Sequence, residues 1–343
     1  MAITVCGSCV EFGSCPLCDT PTGFNFNGVI KAKSGFCVLP THAQGEDRGY
    51  VSGGSPSPLG PNGDCAITRF QFASGYSSAA VVGCLAIGRK GGGGATSSTH
   101  GYIAGGRAIH TASSGGTYNC AIDKFQMSDS SNATTIGDLS FGQCDNAGAM
   151  STTTGYVAGG RHPDIDTIEK YPFSSDTNAS DSGDLICDFA KLRGHSSRTH
   201  AYFSGGTPAQ ISTTIQKFPF ASEGNAADVG ELSRDHVEHS CQNSAEAGYA
   251  AGGLLGNQST LCDNIDKFPF SSDSPGTDIG NLSAGRCAQT GVSSTTDGYS
   301  ISGSPPSGGT PVVDSFPFAS DTNATNLGVT ACFQVAFGHG HQC

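Results

Sequence analysis

One phrase recurs six times along this chain, and that recurrence limits what the chain can fold into. "IDKFPFSSD" begins at Ile265, "IQKFPFAS" at Ile215, "IEKYPFSSD" at Ile168 and "VDSFPFASD" at Val313. Looser copies are "IDKFQMSD" at Ile122 and "ITRFQFAS" at Ile67. A second phrase keeps step: "GYVSGG", "GYIAGG", "GYVAGG", "AYFSGG", "GYAAGG" and "GYSISG". Its tyrosines are Tyr50, Tyr102, Tyr156, Tyr202, Tyr249 and Tyr299, spaced by 52, 54, 46, 47 and 50 residues. A third phrase follows each copy of the first, as in "IGDLS" at Ile136, "VGELS" at Val229 and "IGNLS" at Ile279.

Each period of about 50 residues thus holds four short apolar segments separated by Gly, Ser, Asn and Asp. A single four-stranded sheet cannot bury both faces, but sheets stacked in a ring can. The spacing therefore predicts an all-β chain, a β-propeller of four-stranded antiparallel blades. Six complete sets predict six blades, and a seventh, composite blade built from both termini is the alternative. Composition agrees. Glycine accounts for 50 of 343 residues and charged residues for only 13%, and no window carries the 3.6-residue periodicity of a helix.

Each phrase has a physical reading. The glycine pair after the tyrosine suits positive φ where the chain leaves a strand. The tyrosine has a large apolar body and a hydroxyl that needs a partner. In Phe218-Pro219-Phe220 alternation places both rings on one face, and the proline marks a strand end or a bulge. Tyr50, Tyr102, Tyr156, Tyr202, Tyr249 and Tyr299, with Phe125, Phe218, Phe268 and Phe316, are therefore the expected blade-packing residues.

The order of glycine pair, "I-x-K-F" strand and "G-x-L" strand resembles kelch-type β-propeller repeats, over roughly residues 35 to 330. The tryptophan frequent in that family is absent. The wording is also similar to repeat proteins of marine bacteriophages, cyanophages above all. That second resemblance implies a virion component: a non-enzymatic structural or binding propeller serving as an appendage, tail-fibre or decoration module. Expected partners are other virion proteins, further copies of the chain, and a host surface glycan or protein. A carbohydrate-binding or carbohydrate-active propeller is the alternative, and a kelch-type interaction scaffold a third reading. No G-x-S-x-G, H-E-x-x-H or P-loop motif occurs, so no catalytic residue is expected.

The net charge of −12, with 17 scattered Lys and Arg, argues against nucleic-acid binding. No apolar run suits a signal peptide or a membrane span. The expectation is a protein made in the host cytoplasm and resident in the virion.

Fifteen cysteines supply the remaining chemistry. Residues 1–22 read as a Cys-rich arm ahead of a propeller over 23–343. In the arm, Cys6-x-x-Cys9 and Cys15-x-x-Cys18 could give four thiolates to zinc or form two disulfides. Within the repeats, Cys65 with Cys84, Cys120 with Cys144 and Cys262 with Cys287 could staple third strands to fourth strands. Alternatively, each is a small buried apolar residue. His339, His341 and Cys343 alternate on one strand face and could complete a site, or could form an exposed tail. Asp176, Asn178 and Ser180, repeated as Asp321, Asn323 and Thr325, have calcium-loop spacing but lack the closing glutamate. Turn chemistry also explains them. Ring closure is expected from pairing of Ala331–Cys343 with sequence such as Phe24–Lys33. The most variable loops, Gly53–Asp64, Gly105–Asn119 and Gly303–Val313, all join second to third strands and so should share one face, where binding would occur.

Overall fold

The computed structural model describes residues 3–6, 9–12, 44–56, 65–72, 75–108, 117–208, 210, 212–304, 312–329, 335–336 and 338–342. The chain divides into two units, Met1–Leu39 and Pro40–Cys343. In the first, strands Ile3–Cys6 and Cys9–Phe12 pair as a hairpin, with Cys6 opposite Cys9 in register. The expected arm boundary at residue 22 lies outside the described residues.

The second unit is a six-bladed β-propeller, each blade a four-stranded antiparallel sheet. The strands run in order from the axis outward. Blade 2 is Gly93–Thr96, His100–Ala104, Ala121–Gln126 and Thr134–Asp138. Blade 3 is Ala147–Met150, Thr154–Ala158, Thr167–Pro172 and Ser180–Asp184. Blade 4 is Arg193–Ser196, His200–Ser204, Thr214–Pro219 and Ala227–Glu231. Blade 5 is Ser240–Asn243, Ala247–Ala251, Asn264–Pro269 and Thr277–Asn281. Blade 6 is Thr290–Ser293, Asp297–Ile301, Val312–Pro317 and Thr325–Val329.

Blade 1 is built from both ends of the unit. Arg48–Ser52, Ala66–Gln71 and Gly75–Cys84 form its outer three strands, and His339–Gln342 forms the innermost. The C-terminal segment pairs with the "GYVSGG" strand, Tyr50 opposite His341; the expected partner Phe24–Lys33 lies outside the described residues. The segment completes blade 1, and the ring closes at six blades. It is not an exposed tail: His339 is 5% exposed and His341 fully buried. The described residues contain no α-helix long and apolar enough to cross a membrane.

The repeated phrases are the joints between blades. The Tyr202 ring of blade 4 stacks on Phe270 of blade 5 at 4.8 Å and tilts against Phe268 at 5.8 Å. Tyr102 takes the same place against Tyr171 and Phe173, Tyr156 against Phe218 and Phe220, and Tyr249 against Phe316 and Phe318. Tyr299 meets Phe70 and Phe72, which joins blade 6 to blade 1. Tyr50 meets Phe125 and donates its hydroxyl to the Met127 carbonyl. Six aromatic wedges therefore close the ring. The glycine pairs have positive φ in blades 1 to 5, as expected, and Ser302 stands in for the first glycine in blade 6.

Polar groups in the same phrases reach across the same joints. The lysine of each "I-x-K-F" copy pairs with the acid five residues past the ring of the next copy. These pairs are Lys124–Asp176, Lys170–Glu223, Lys217–Asp273 and Lys267–Asp321, at 2.5 to 2.9 Å. Next to them, Asn178 Oδ1 accepts from the Asp138 amide, and the Ala179 amide donates back to the Asp138 carbonyl. Asn132, Asn225 and Asn323 repeat this clamp. The calcium spacing thus has a structural cause: Asp176, Asn178, Asp321 and Asn323 hold neighbouring blades.

Candidate functional site

Strands alternate direction, so the second-to-third-strand loops and the linkers between blades emerge at one end of the ring. The expectation that the variable loops share a face follows from this topology. Each linker also bridges the residue just after the glycine pair: Cys144 with Arg161, Ala190 with Thr207, Val237 with Leu254 and Cys287 with Ser304.

Beneath the linkers sit buried polar side chains of the third strands. The residue after the third-strand isoleucine, Val313 in blade 6, is polar and buried in every blade: Thr68, Asp123, Glu169, Gln216, Asp266 and Asp314. A register shift follows that isoleucine in each blade's pairing to the fourth strand, as a β-bulge that re-aims a side chain produces. The side chain then holds the linker. Asp266 accepts from the Ser233 amide and hydroxyl, and Asp314 from those of Ser283. Glu169 does the same for Ser140, and Gln216 accepts from the Ile186 amide.

A cation from the linker itself completes three of these sites. Arg286 meets Asp314 at 2.9 Å, Arg89 pairs with Asp123, and His236 lies 3.6 Å from Asp266. At the equivalent linker positions stand Gln143 ahead of blade 3 and Phe189 ahead of blade 4, both buried. Burial alone would lower the His236 pKa. The hydrogen bond and charge of Asp266, with the Cys262 thiol, outweigh that and push it up to about 9. These groups are structural clamps, and in the sequence the acids stand out only as part of a charged dipeptide.

Closer to the axis, a residue with positive φ recurs two places before five of the six inner strands: Gly91, Asp145, Lys191, Glu238 and Ala288. Their backbones form an arc of hydrogen bonds among the described residues. The Asp145 amide donates to Gly91, Lys191 to Asp145, Glu238 to Lys191 and Ala288 to Glu238, at 2.5 to 3.1 Å. Glycine would take this conformation without strain, whereas another residue carries a penalty of roughly 1 kcal/mol or more. Three of the positions nonetheless carry charged side chains. Lys191 and Glu238 pair at 2.7 Å, and Asp145 pairs with Arg161 at 2.5 Å.

Inside this collar lies an axial cavity of about 60 Å³, room for about four ordered waters. The second residue of each inner strand lines it: Gly94, Gly148, Gly194, Cys241, Gly291 and Gly340. A methyl group on Gly340 would come within 1.8 Å of the Gly291 carbonyl oxygen, and one on Gly148 within 2.1 Å of that of Gly94. Cys241 is the exception, and burial raises its thiol pKa, which keeps it protonated and unreactive at neutral pH. His339 lines the same cavity, and burial lowers its pKa to about 3. His341 bonds Ser52 Oγ at 2.8 Å and the Ala95 carbonyl at 3.1 Å; His339 and His341 are the described members of the expected set with Cys343. Cys343 lies outside the described residues.

An aromatic pair on the loop face, a half-buried tyrosine against an exposed histidine, belongs to no repeat. The Tyr118 ring stacks on His162 at 4.3 Å, with the Arg107 guanidinium 5.9 Å from the tyrosine centroid. Nothing in the sequence singles it out, because neither ring recurs.

The cysteines divide. Cys65 and Cys84 face each other, sulfur to sulfur, at 2.8 Å. Cys120 donates to Asp138, Cys262 to the Gly252 carbonyl and Cys287 to the Ser304 carbonyl. Cys144 and Cys287 lie in blade linkers and not in fourth strands, so the two other expected staples are not brought together, and both sulfurs are free thiols. For zinc, Cys6 and Cys9 share a hairpin, while Cys15 and Cys18 lie outside the described residues. Among the described residues no group of three or more metal-ligating side chains converges. Comparison with protein-family models and with curated proteins finds no match.

Proposed function

We propose that this chain is a non-enzymatic structural and binding propeller of a bacteriophage virion, an appendage, tail-fibre or decoration module that contacts a host surface glycan or protein through its loop face. The kelch-like and phage-like wording of the repeats supports the virion part of this reading. One observation carries the binding part. Equivalent positions in the blade joints hold nearly the same residues throughout, whereas equivalent positions on the loop face hold different ones. A site that binds once needs such a departure from symmetry, and a frame does not. The Tyr118–His162 stack offers an aromatic surface for an apolar or sugar face, beside the charged collar.

Mass spectrometry of purified virions tests the location, and a chain missing from the particle overturns it. A glycan and surface-protein array, run with a hydrolysis screen, tests the activity. Binding without cleavage is expected. Y118A and H162A should each weaken it about tenfold with an unchanged unfolding midpoint. Cleavage of a glycan would replace this reading with the carbohydrate-active one.

A further inference from the structure

The cross-strand position just ahead of the third strand brings two side chains together in blade after blade. In blade 2 it joins Cys120 to Asp138 at 3.4 Å, and in blade 4 it joins Thr213 to Glu231 by a hydrogen bond. In blade 3 it sets Asp166 against Asp184. The backbone frame is common to these and to blade 1. The amide of the leucine after the fourth strand donates to the carbonyl of the first partner, at 2.7 Å for Leu85 to Cys65, Leu139 to Cys120, Leu185 to Asp166 and Leu232 to Thr213. Only in blade 1 are both partners cysteine.

We infer that Cys65 and Cys84 are a modification site, a dithiol that a small-molecule disulfide converts to an intrachain disulfide. Their 2.8 Å separation lies between a covalent S–S bond of about 2.05 Å and ordinary contact. Both residues are partly exposed, so a small reagent can reach them, whereas Cys144 and Cys262 are buried. In the first step one protein thiolate attacks the small disulfide, forms a mixed disulfide and expels one small thiolate. The second protein thiol then loses its proton and attacks the protein sulfur of that mixed bond, expelling the second. The two protein sulfurs are oxidised by two electrons, the reagent is reduced to two thiols, and the two protein protons end on them. A reducing cytoplasm keeps the pair open and an oxidising medium closes it. The closed bond ties the third strand of blade 1 to the fourth, in the blade that also depends on His339–Gln342 for its innermost strand. The inference does not depend on the proposed virion role.

The test uses the full chain, treated with oxidised glutathione or with a reductant, alkylated and digested with trypsin. Cleavage after Arg48, Arg69 and Arg89 places Cys65 in peptide 49–69 and Cys84 in peptide 70–89, each the only cysteine of its peptide. The two peptides should appear joined after oxidation and separately alkylated after reduction. The oxidised chain should unfold on the order of 5 °C higher, and C84S should show no such shift. Alkylation of both cysteines after oxidation, stable glutathione adducts on each, or linkage of either to a different cysteine would overturn the inference. The peptide readout on the unaltered chain needs no variant to fold.

Discussion

The joints between blades and the mouth on the axis are built from the same six repeats under opposite rules. At the joints the chain repeats itself. A tyrosine enters between two rings, a lysine meets the next copy's acid, and an asparagine clamps the preceding blade's edge. At the mouth the backbone repeats, with its arc of amides and carbonyls, while the side chains run Gly91, Asp145, Lys191, Glu238, Ala288. Identical packing is a requirement of a closed ring, since each blade must fit both neighbours. No such requirement acts on side chains that face the mouth, so they can differ.

Four measurements can break or sharpen this contrast. The largest effect belongs to the buried clamp under the linkers. D314A strands the Arg286 guanidinium, 2% exposed, and should cost about 3–5 kcal/mol in denaturant unfolding, while the double variant R286M/D314L should recover most of it. A loss under about 1 kcal/mol for the single variant would show that water reaches the site. Next is a joint. Y202A removes a fully buried ring from between Phe268 and Phe270 and should cost about 3–4 kcal/mol. Y202F, which keeps the ring and loses the hydroxyl with its 3.2 Å hydrogen bond to the Phe270 carbonyl, should cost about 1 kcal/mol. Equal losses would mean that the hydroxyl, and not the ring, holds the joint.

The third concerns pH. His236 is raised from 6.5 to about 9 in the folded chain. Its stabilising contribution is therefore complete below pH 6.5 and is lost as pH rises through 9, by up to about 3 kcal/mol. Asp266 is shifted the other way, since its partners outweigh burial and lower its pKa, so its contribution is lost as acid protonates it. H236R should remove the alkaline loss, because a guanidinium stays charged through this range. A variant that still weakens between about pH 8 and 10 to the same degree would sink the assignment. The smallest effect is expected at the rim. K217A breaks a pair whose Asp273 is 53% exposed and should cost under about 1 kcal/mol, less again in high salt.

Much of the joint is legible in the amino-acid sequence alone. Six phrases at a period near 50 can be satisfied by few architectures, and the alternation in Phe218-Pro219-Phe220 places both rings correctly. The residues that sequence misleads on are those whose neighbours come from another copy. Lys267 and Asp273 stand in one phrase, "IDKFPFSSD", yet neither pairs with the other. Lys267 reaches forward to Asp321 and Asp273 back to Lys217. A bulge hides the buried acids, because a shifted register breaks the alternation from which burial is inferred. The closing strand is hidden among the longer phrases, although it shares a short pattern with the other inner strands. "AGAM", "RGHS", "TGVS" and "HGHQ" all place glycine second, where neighbouring backbones meet on the axis. The loop-face stack of Tyr118 and His162 has no signal to find, since nothing about it repeats.

The origin of blade 1 has a consequence for how the molecule comes into being. Ser52 and His341 bond across 289 positions of sequence, so the strand that seals the ring is synthesised after every other strand in it. Blades 2 to 6 can assemble as they emerge from the ribosome, each on its predecessor. Blade 1 must wait with its "GYVSGG" strand unpaired along one side, an edge that invites pairing with other chains. Closing so long a loop adds little entropy beyond that of a shorter one, so the delay sets when the ring closes and not how tightly it holds. A chain interrupted anywhere before residue 339 keeps that edge open.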